Sequence, residues 1–452
     1  METRIFKRKI YSRLVEWKER SKGSTALMIE GARRVGKSTV AREFGEKEYR
    51  SYILIDFSDI TPDMADIFEM ISNRDYFFLM LQTLTGVTLY ERESLIIFDE
   101  VQLYPKARQA IKHLVADGRY DYLETGSLIF IKKNVEKILI PSEEERLLMF
   151  PMDFEEFLEA QGKGMTFDLI RNAYKTSTSL PDSVHRRLMT EFRLYMLVGG
   201  MPQAVNMYLD RNNFEDVDRV KRDILNLYLD DFMKIDPDGR ASALFEAIPS
   251  ELSRNTLRYK VGSVIENSRV ERLLPVLQEM KASMTVNFTY HADKPEVGFR
   301  LHADMNTFKL FLGDTGLFIT LAFMDKDFTE NIIYQKLLLD KLPADLGYVY
   351  ENAVAQILRA SGHNLFYYTF SKKDEKDRAV YYEIDFLISS GSKIDPIEVK
   401  SSSIRSHKSL DEFGVKFSSK IGTKYIITTK PFKKEGDIWF IPIYMAPLLR
   451  LS

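Results

Sequence analysis

The chain has 452 residues, enough for about three domains that each bury their own core. With 45% hydrophobic and 29% charged residues it has an ordinary globular composition, and the lack of cysteine excludes disulfides, cysteine-based zinc sites and thiol nucleophiles. The net charge of −2 lacks the basic excess of dedicated nucleic-acid binders, and no stretch reaches the ~20 apolar residues of a membrane span, so we expect a cytoplasmic protein without membrane contacts.

Strands and helices alternate through the first third of the sequence. The predicted strands are residues 26–29, 52–56, 95–98, 122–125 and 147–149. The predicted helices between them are residues 38–44, 63–84 and 106–117, and Gly45 is expected to end the first of these. Alternation of this kind predicts an α/β fold with a parallel sheet.

The segment between the first strand and the first helix reads GARRVGKS and fits the GxxxxGK[ST] pattern of a P-loop, or Walker A motif. Such a loop surrounds nucleotide phosphates with backbone N–H groups, and a helix N-terminus adds its positive dipole end. We expect Lys37 to contact the β- and γ-phosphates and Ser38 to bind Mg²⁺. The residues predicted to bind ATP are Gly31, Ala32, Arg33, Arg34, Val35, Gly36, Lys37, Ser38, Thr39 and Thr125.

Two carboxylates follow the third predicted strand and give the P-loop a catalytic context. Asp99 and Glu100 end the apolar run at 95–98, at the sheet edge where parallel α/β folds bind their ligands. As in a Walker B motif, Asp99 is expected to hold Mg²⁺ and Glu100 to activate the attacking water. The sequence therefore predicts an ATPase with Lys37 and Glu100 as catalytic residues. Thr125 ends the next strand, where its hydroxyl either senses the γ-phosphate or simply closes a turn.

Helical patterns dominate the middle of the chain, at residues 153–231 and 242–280. An apolar run at 194–198 ends in a Gly-Gly-Met-Pro turn. Short β-like stretches at 285–290 and 299–301 follow, an order compatible with a winged-helix module, and 309–317 is predicted as a strand and turn. The predicted domains are a P-loop ATPase core at 1–155, a helical lid at 156–235, a winged-helix-like part at 236–325 and a separate α/β domain at 326–452.

The last predicted domain contains a second candidate site on a hairpin formed by residues 381–388 and 396–400. Strand alternation places Asp385 on one face of the first strand, and Glu398 and Lys400 together on one face of the second. If these faces coincide, the two carboxylates can hold Mg²⁺ and the lysine can position a water for attack on a phosphodiester. We therefore name Asp385, Glu398 and Lys400 as candidate catalytic residues, with Glu351 as a further acid. The alternative is a solvated, charged hairpin face.

With these motifs the chain resembles the prokaryotic ATPases of the AAA superfamily that carry a C-terminal DUF4143 domain. Besides the P-loop and the Asp99-Glu100 pair, the matching motifs are residues 125–127, 154–158, 199–202, 314–317, 351–354, 383–386 and 397–400. The resemblance implies an ATPase core, a helical and winged-helix-like middle, and a C-terminal restriction-endonuclease-like fold. The family tends to place a Gly-Arg before residues 154–158. Here the nearest match, Arg146, lacks the glycine, so it either stabilises the γ-phosphoryl group or pairs with the glutamates at 143–145.

Three functions remain open at this point. The leading one is an Mg²⁺-dependent ATPase whose nucleotide state repositions a C-terminal module that acts on or binds DNA or another nucleic acid. The second is a nucleotide-switched scaffold whose C-terminal domain binds a protein partner without catalysis. A DNA-binding regulator has little support, because no middle helix is rich in arginine, asparagine or glutamine. Basic clusters near the chain ends are typical of solvated surface, and they are Arg4, Lys7, Arg8, Lys9, Lys372, Lys373, Lys376 and Arg378.

Overall fold

The computed structural model describes residues 4–127, 143–254, 256–325, 329–339, 347–373, 376–401 and 406–449. The chain divides into two units, which are described separately. Unit 1 is Met1–Phe150 with Ala282–Met284, and unit 2 is Pro151–Lys281 with Thr285–Ser452. Within the described ranges, every helix is too short or too polar to cross a lipid bilayer.

Unit 1 is built on a five-stranded parallel sheet. Its strands are β1 (Ala26–Gly31), β2 (Ser51–Asp56), β3 (Ser94–Asp99), β4 (Asp121–Gly126) and β5 (Glu144–Met149). They are ordered β2-β3-β4-β1-β5, and every neighbouring pair is parallel, which confirms the predicted α/β class. Because β4 lies between β1 and β3, the carboxyl ends of these three strands adjoin one another.

The helices of unit 1 correct two details of the sequence prediction. These helices are α1 (Ile10–Ser21), α2 (Lys37–Glu48), α3 (Pro62–Glu69), α4 (Arg74–Thr85) and α5 (Pro105–Asp117). The single helix predicted at 63–84 is wrong, because Thr61 and Asn73 each cap the start of a separate helix with a side-chain oxygen. Gly45 does not end α2. It lies inside that helix, where a Cβ would come within 2.8 Å of the Tyr52 ring.

The apolar core of unit 1 packs α3, α4 and α5 against alternate residues of the sheet. Phe98, the last core residue of β3, makes ring contacts with Phe57 at 5.7 Å and with Phe68 at 5.8 Å between centroids. Aromatic rings bury large apolar areas, so this cluster stabilises the end of β3. The next residue, Asp99, points to the opposite face of the sheet.

Unit 2 contains an eight-stranded mixed sheet. Its strands are β6 (Val286–Ala292), β7 (Ala303–Leu312), β8 (Phe366–Lys373), β9 (Ala379–Ser390), β10 (Lys393–Lys400), β11 (Lys424–Thr428), β12 (Lys433–Glu435) and β13 (Ile438–Pro442). Their order is β12-β13-β11-β10-β9-β8-β6-β7. The predicted hairpin is confirmed as β9 and β10, which run antiparallel with Ile397 opposite Phe386.

The β-like stretches of the middle region join this same sheet. β6 and β7 are antiparallel to each other, and β6 pairs in parallel with β8 through Tyr290 and Phe366. The sheet therefore contains strands from both sides of the domain boundary predicted between residues 325 and 326. The strand predicted at 299–301 is wrong, because Phe299–Leu301 forms a short 3-10 helix and the second strand begins at Ala303.

The helical middle is confirmed. The described helices from residue 154 onward are α6 (Phe154–Ala160), α7 (Gly164–Lys175), α8 (Asp182–Val198), α9 (Pro202–Arg211), α10 (Phe214–Ile235), α11 (Arg240–Glu246), α12 (Ile248–Ser253), α13 (Val261–Val264), α14 (Val270–Ala282), α15 (Thr315–Ala322), α16 (Asn331–Leu338), α17 (Gly347–Ala360) and α18 (Lys408–Lys416). A capping box begins α6, in which the side chains of Asp153 and Glu156 each accept a hydrogen bond from the other's backbone N–H. The motif at residues 154–158 thus has a structural role.

The motifs at residues 199–202 and 314–317 form a close backbone contact inside unit 2. Asp314 caps α15 by accepting from the Leu317 N–H at 2.9 Å, and its other oxygen accepts from the Gly200 N–H at 2.6 Å. A Cβ on Gly316 would lie only 2.5 Å from the Cα of Gly199. Both glycines are therefore required by the packing of the α8–α9 turn on the start of α15.

Candidate functional site

The P-loop connects the end of β1 to the start of α2 in unit 1. Arg34 and Gly36 have positive φ angles, 69° and 99°, which turn the chain back toward the helix. Glycine adopts this conformation without a Cβ penalty. A Cβ on Gly31 would lie 2.4 Å from the carbonyl oxygen of Met149 on β5, so the first glycine of the motif is fixed by a close strand contact.

Lys37 folds back over the loop that precedes it. Its Nζ donates hydrogen bonds to the carbonyl oxygens of Gly31 at 3.0 Å and Ala32 at 3.1 Å. Burial lowers the pKa of Lys37, and the carboxylates of Glu100 and Asp99 only partly oppose this effect. The loop therefore holds a buried ammonium group with two carboxylates nearby.

The predicted residues of α2, β3 and β4 form one hydrogen-bonded group. Ser38 Oγ donates to Asp99 Oδ1 at 2.8 Å, and Thr125 Oγ1 donates to the same oxygen. Thr125 Oγ1 also accepts from the backbone N–H of Glu100 at 3.2 Å. Both Asp99 and Thr125 are buried. The structure thus brings together Ser38, Asp99, Glu100 and Thr125.

Glu100 has two features that are typical of functional positions. Its φ of 55° is uncommon for a residue with a side chain, and such strained backbone concentrates at active sites. Its carboxylate accepts a hydrogen bond from the side-chain amide of Gln102 and remains partly exposed. Glu100 is therefore held in place but accessible to solvent.

Sequence reasoning missed the role of Arg8, which was assigned to a solvated basic cluster. Arg8 is buried, and its guanidinium donates to the carbonyl oxygens of Val35 at 2.7 Å and Phe150 at 2.6 Å. These two hydrogen bonds connect the P-loop to the segment that follows β5. The local sequence, a run of basic residues, gave no sign of this burial.

The remaining P-loop residues and Arg146 have simpler environments. Ala32 and Val35 are buried, Arg33 and Gly36 are partly exposed, and Arg34 and Thr39 are exposed. Arg146 lies within 3.2 Å of Glu30 Oε1 and donates to Glu144 Oε1 at 2.9 Å. Glu144 belongs to the glutamate run, so the geometry favours the pairing alternative for Arg146.

In unit 2 the hairpin also gathers its predicted residues. Lys400 Nζ lies 3.1 Å from Glu398 Oε2, and Asp385 Oδ2 accepts from the Val399 N–H at 2.7 Å. Glu398 is only 2% exposed, and among the described residues its Oε1 has no hydrogen-bond partner. An unpaired carboxylate oxygen at such burial is costly, which marks a place for a cation or a donor.

The carboxyl groups of this cluster are hard to ionise. Burial raises the pKa of Glu398 to about 7, although Lys400 opposes the shift. Burial and repulsion from Asp385 raise the pKa of Glu351, on α17, to about 8. Two residues without a predicted role, Glu383 on β9 and Lys309 on β7, form an ion pair beside these groups. In the sequence, a lysine within the otherwise apolar run 308–312 is the signal that could have indicated a buried ion pair.

The donor sets suit Mg²⁺ in their chemistry. Ser38 with Asp99, and Asp385 with Glu398, offer the hard oxygen ligands that this ion prefers. Across the described ranges, no group of three or more His, Cys, Asp or Glu side chains is arranged to hold a metal by itself. Either site would therefore need waters or substrate oxygens to complete a coordination shell.

Comparison with protein families adds to this geometry. Residues 23–158 match AAA_14, described as an AAA domain. This stretch of the chain is therefore similar to AAA domains. Residues 189–327 and 346–446 match two domains of unknown function, DUF8612 and DUF4143. These matches support the expected combination of an AAA domain with DUF4143, whereas the ATPase activity and the restriction-endonuclease-like fold stay predictions.

Two solved structures that are similar to the chain are both distant from it in sequence. The Aeropyrum pernix ORC1 protein in complex with DNA is 14% identical over 71% of this chain and 93% of that one, with a TM-score of 0.28. Cdc6p from Pyrobaculum aerophilum is 12% identical over 73% of this chain and 92% of that one, with a TM-score of 0.25. Scores this low support no conclusion about function. A search of curated proteins found no match.

Proposed function

We propose that the AAA domain binds ATP together with Mg²⁺ and hydrolyses it. The observation that carries this proposal is the hydrogen-bonded group formed by Ser38, Asp99, Thr125 and the Glu100 N–H beside the buried ammonium of Lys37. The AAA match over residues 23–158 supports the same activity.

Each residue of the group has a chemical role in this proposal. The ammonium of Lys37 exchanges its loop carbonyls for phosphate oxygens, while Ser38 and Asp99 hold Mg²⁺. When bound, Mg²⁺ neutralises charge on the phosphate oxygens. Glu100 accepts a proton from the attacking water. Thr125 holds the Asp99 carboxylate and the Glu100 backbone in place through its two hydrogen bonds.

Equilibrium binding of a fluorescent ATP analogue in the presence of Mg²⁺ tests the first step. Lys37→Ala is expected to abolish binding, because it removes the buried ammonium that the loop holds for the phosphates. Lys47→Ala is the matched control, since Lys47 also lies on α2 but is exposed and paired with Glu43. Equal binding by the parent and Lys37→Ala would refute the proposed role of the loop.

For the C-terminal part we propose a restriction-endonuclease-like module whose action on nucleic acid is controlled by the nucleotide state of the AAA domain. The unpaired Oε1 of buried Glu398, next to Lys400 and Asp385, favours Mg²⁺-dependent phosphodiester cleavage. In this reaction Asp385 and Glu398 hold the cation, and Lys400 orients the attacking water. The competing function is a scaffold that binds a protein partner.

Incubation of the full chain with labelled DNA and Mg²⁺ or Mn²⁺, with and without ATP, separates these two functions. Cleavage that is lost in Asp385→Ala and retained in Asp437→Ala supports the nuclease, because Asp437 is an exposed carboxylate of the same unit. Absence of both metal-dependent cleavage and salt-sensitive DNA binding would favour the scaffold.

A further inference from the structure

The C-terminal carboxylate cluster draws on two sequence segments that match different families. Lys309 lies on β7, within the DUF8612 match at 189–327. Glu351 on α17, Glu383 and Asp385 on β9, and Glu398 on β10 lie within the DUF4143 match at 346–446. The sheet joins the two segments, because β7 pairs with β6 and β6 pairs with β8.

Lys309 is a buried cation that pairs with a carboxylate of this cluster. It is 6% exposed, its Nζ pairs with the Glu383 carboxylate, and it lies 5.6 Å from the ring centroid of Tyr367 on β8. Burial alone would lower the pKa of this lysine, but the carboxylates of Glu383, Glu351 and Asp385 outweigh burial and raise it. The Lys309 ammonium is thus held in its charged form beside these carboxylates.

The second cation of the cluster, Lys400, already has a carboxylate partner. Lys400 pairs with Glu398, and its charge also acts on Glu383 and Asp385. If Lys309 were absent, the partly buried Glu383 carboxylate would be left with Lys400 as the other cation whose charge acts on it. Glu383 would then compete with Glu398 for Lys400 and disturb the pair that the proposed function assigns to the metal.

We propose that Lys309 is a positioning residue of the C-terminal site: by holding Glu383, it leaves Lys400 with Glu398 and keeps Asp385 and Glu398 oriented for a divalent cation. The regions matched by DUF8612 and DUF4143 therefore build one functional site. This inference rests on the proposed metal-dependent function of that site.

Mn²⁺ binding to the full chain, measured by calorimetry without nucleotide, tests the proposal. An Asp99→Asn background removes the carboxylate to which the proposed function assigns the Mg²⁺ of the AAA site. In that background we expect binding that is lost in Asp385→Asn and weakened at least about tenfold in Lys309→Met, the range seen when partners of metal ligands are removed. Lys309→Arg should restore it. The matched control is Lys424→Met, which removes a buried lysine paired with Asp437 in the same sheet and should leave Mn²⁺ affinity unchanged.

A double variant separates positioning from simple stabilisation and also covers the case in which Lys309→Met does not fold. Lys309→Met with Glu383→Gln removes both charges of the pair, so the Glu383 carboxylate no longer competes for Lys400, and Mn²⁺ affinity should return. Persistent loss of affinity in a folded double variant would overturn the proposal.

The outcomes distinguish the inference from the function on which it rests. Asp385-dependent Mn²⁺ binding that Lys309→Met leaves unchanged overturns only the role of Lys309. If the background protein shows no Asp385-dependent binding, the proposed metal site fails and the role of Lys309 fails with it.

Discussion

Replacing Glu398 with glutamine is expected to flatten the pH dependence of the stability of unit 2. Glu398 is buried, and its pKa is raised to about 7 in the folded protein, against an ordinary value near 4.5. A raised carboxyl pKa means that folding favours the protonated form. Its contribution to stability is present at low pH and is lost as pH rises through the folded value. Between pH 5 and pH 8 this single group should cost unit 2 roughly 2–3 kcal/mol.

Tryptophan fluorescence provides a direct assay for this effect. The chain has two tryptophans, Trp17 in unit 1 and Trp439 on β13 of unit 2, so Trp17→Phe leaves a reporter only in unit 2. Denaturant unfolding at pH 5 to 8 then gives the free energy of unfolding of the parent and of Glu398→Gln. The difference between the two should change by roughly 2–3 kcal/mol across this range, because glutamine does not titrate. Glu435→Gln, an exposed site on β12, is the control and should follow the parent. Parallel stability curves for the parent and Glu398→Gln would refute the reasoning.

Two further predictions follow from named contacts. Thr125→Val removes the hydroxyl that donates to Asp99, so steady-state phosphate release should fall at least about tenfold while ATP binding is retained; an unchanged rate would contradict the role of this hydroxyl. Gly316→Ala places a Cβ against backbone at 2.5 Å, and we expect a loss of about 3 kcal/mol in the unfolding free energy of unit 2. Gly391→Ala, in an open turn, should cost only about 1 kcal/mol, and equal losses in the two variants would speak against the packing argument.

The features that sequence predicted well are those written in a short, contiguous pattern. The P-loop is one strand, one glycine-containing turn and one helix start, so its residues identify it without knowledge of the rest of the fold. The β9–β10 hairpin is similar, because alternation fixes which side chains share a face once the turn at Gly391 is recognised. The helix caps at Thr61 and Asn73 were equally local signals, and they outweighed the continuous helical spacing at 63–84.

The features that sequence missed depend on partners that are distant in the chain. The burial of Arg8 follows from its contacts with Val35 and Phe150, and neither contact is visible in a basic N-terminal run. Lys309 joins the C-terminal cluster only because β6 pairs with β8, a register that no local pattern specifies. Gly45 is a residue type that often ends a helix. Here its lack of a side chain instead lets α2 pack closely against Tyr52.

The central claim is that Glu100 activates water for ATP hydrolysis at a site assembled by Lys37, Ser38 and Asp99. Steady-state phosphate release by Glu100→Gln, measured together with its ATP affinity, tests this claim most directly. We predict parent-like ATP binding and hydrolysis at least about 100-fold slower, the usual loss when a general base is removed. Hydrolysis by Glu100→Gln at the parent rate, or a parent protein that does not bind ATP, would contradict the account.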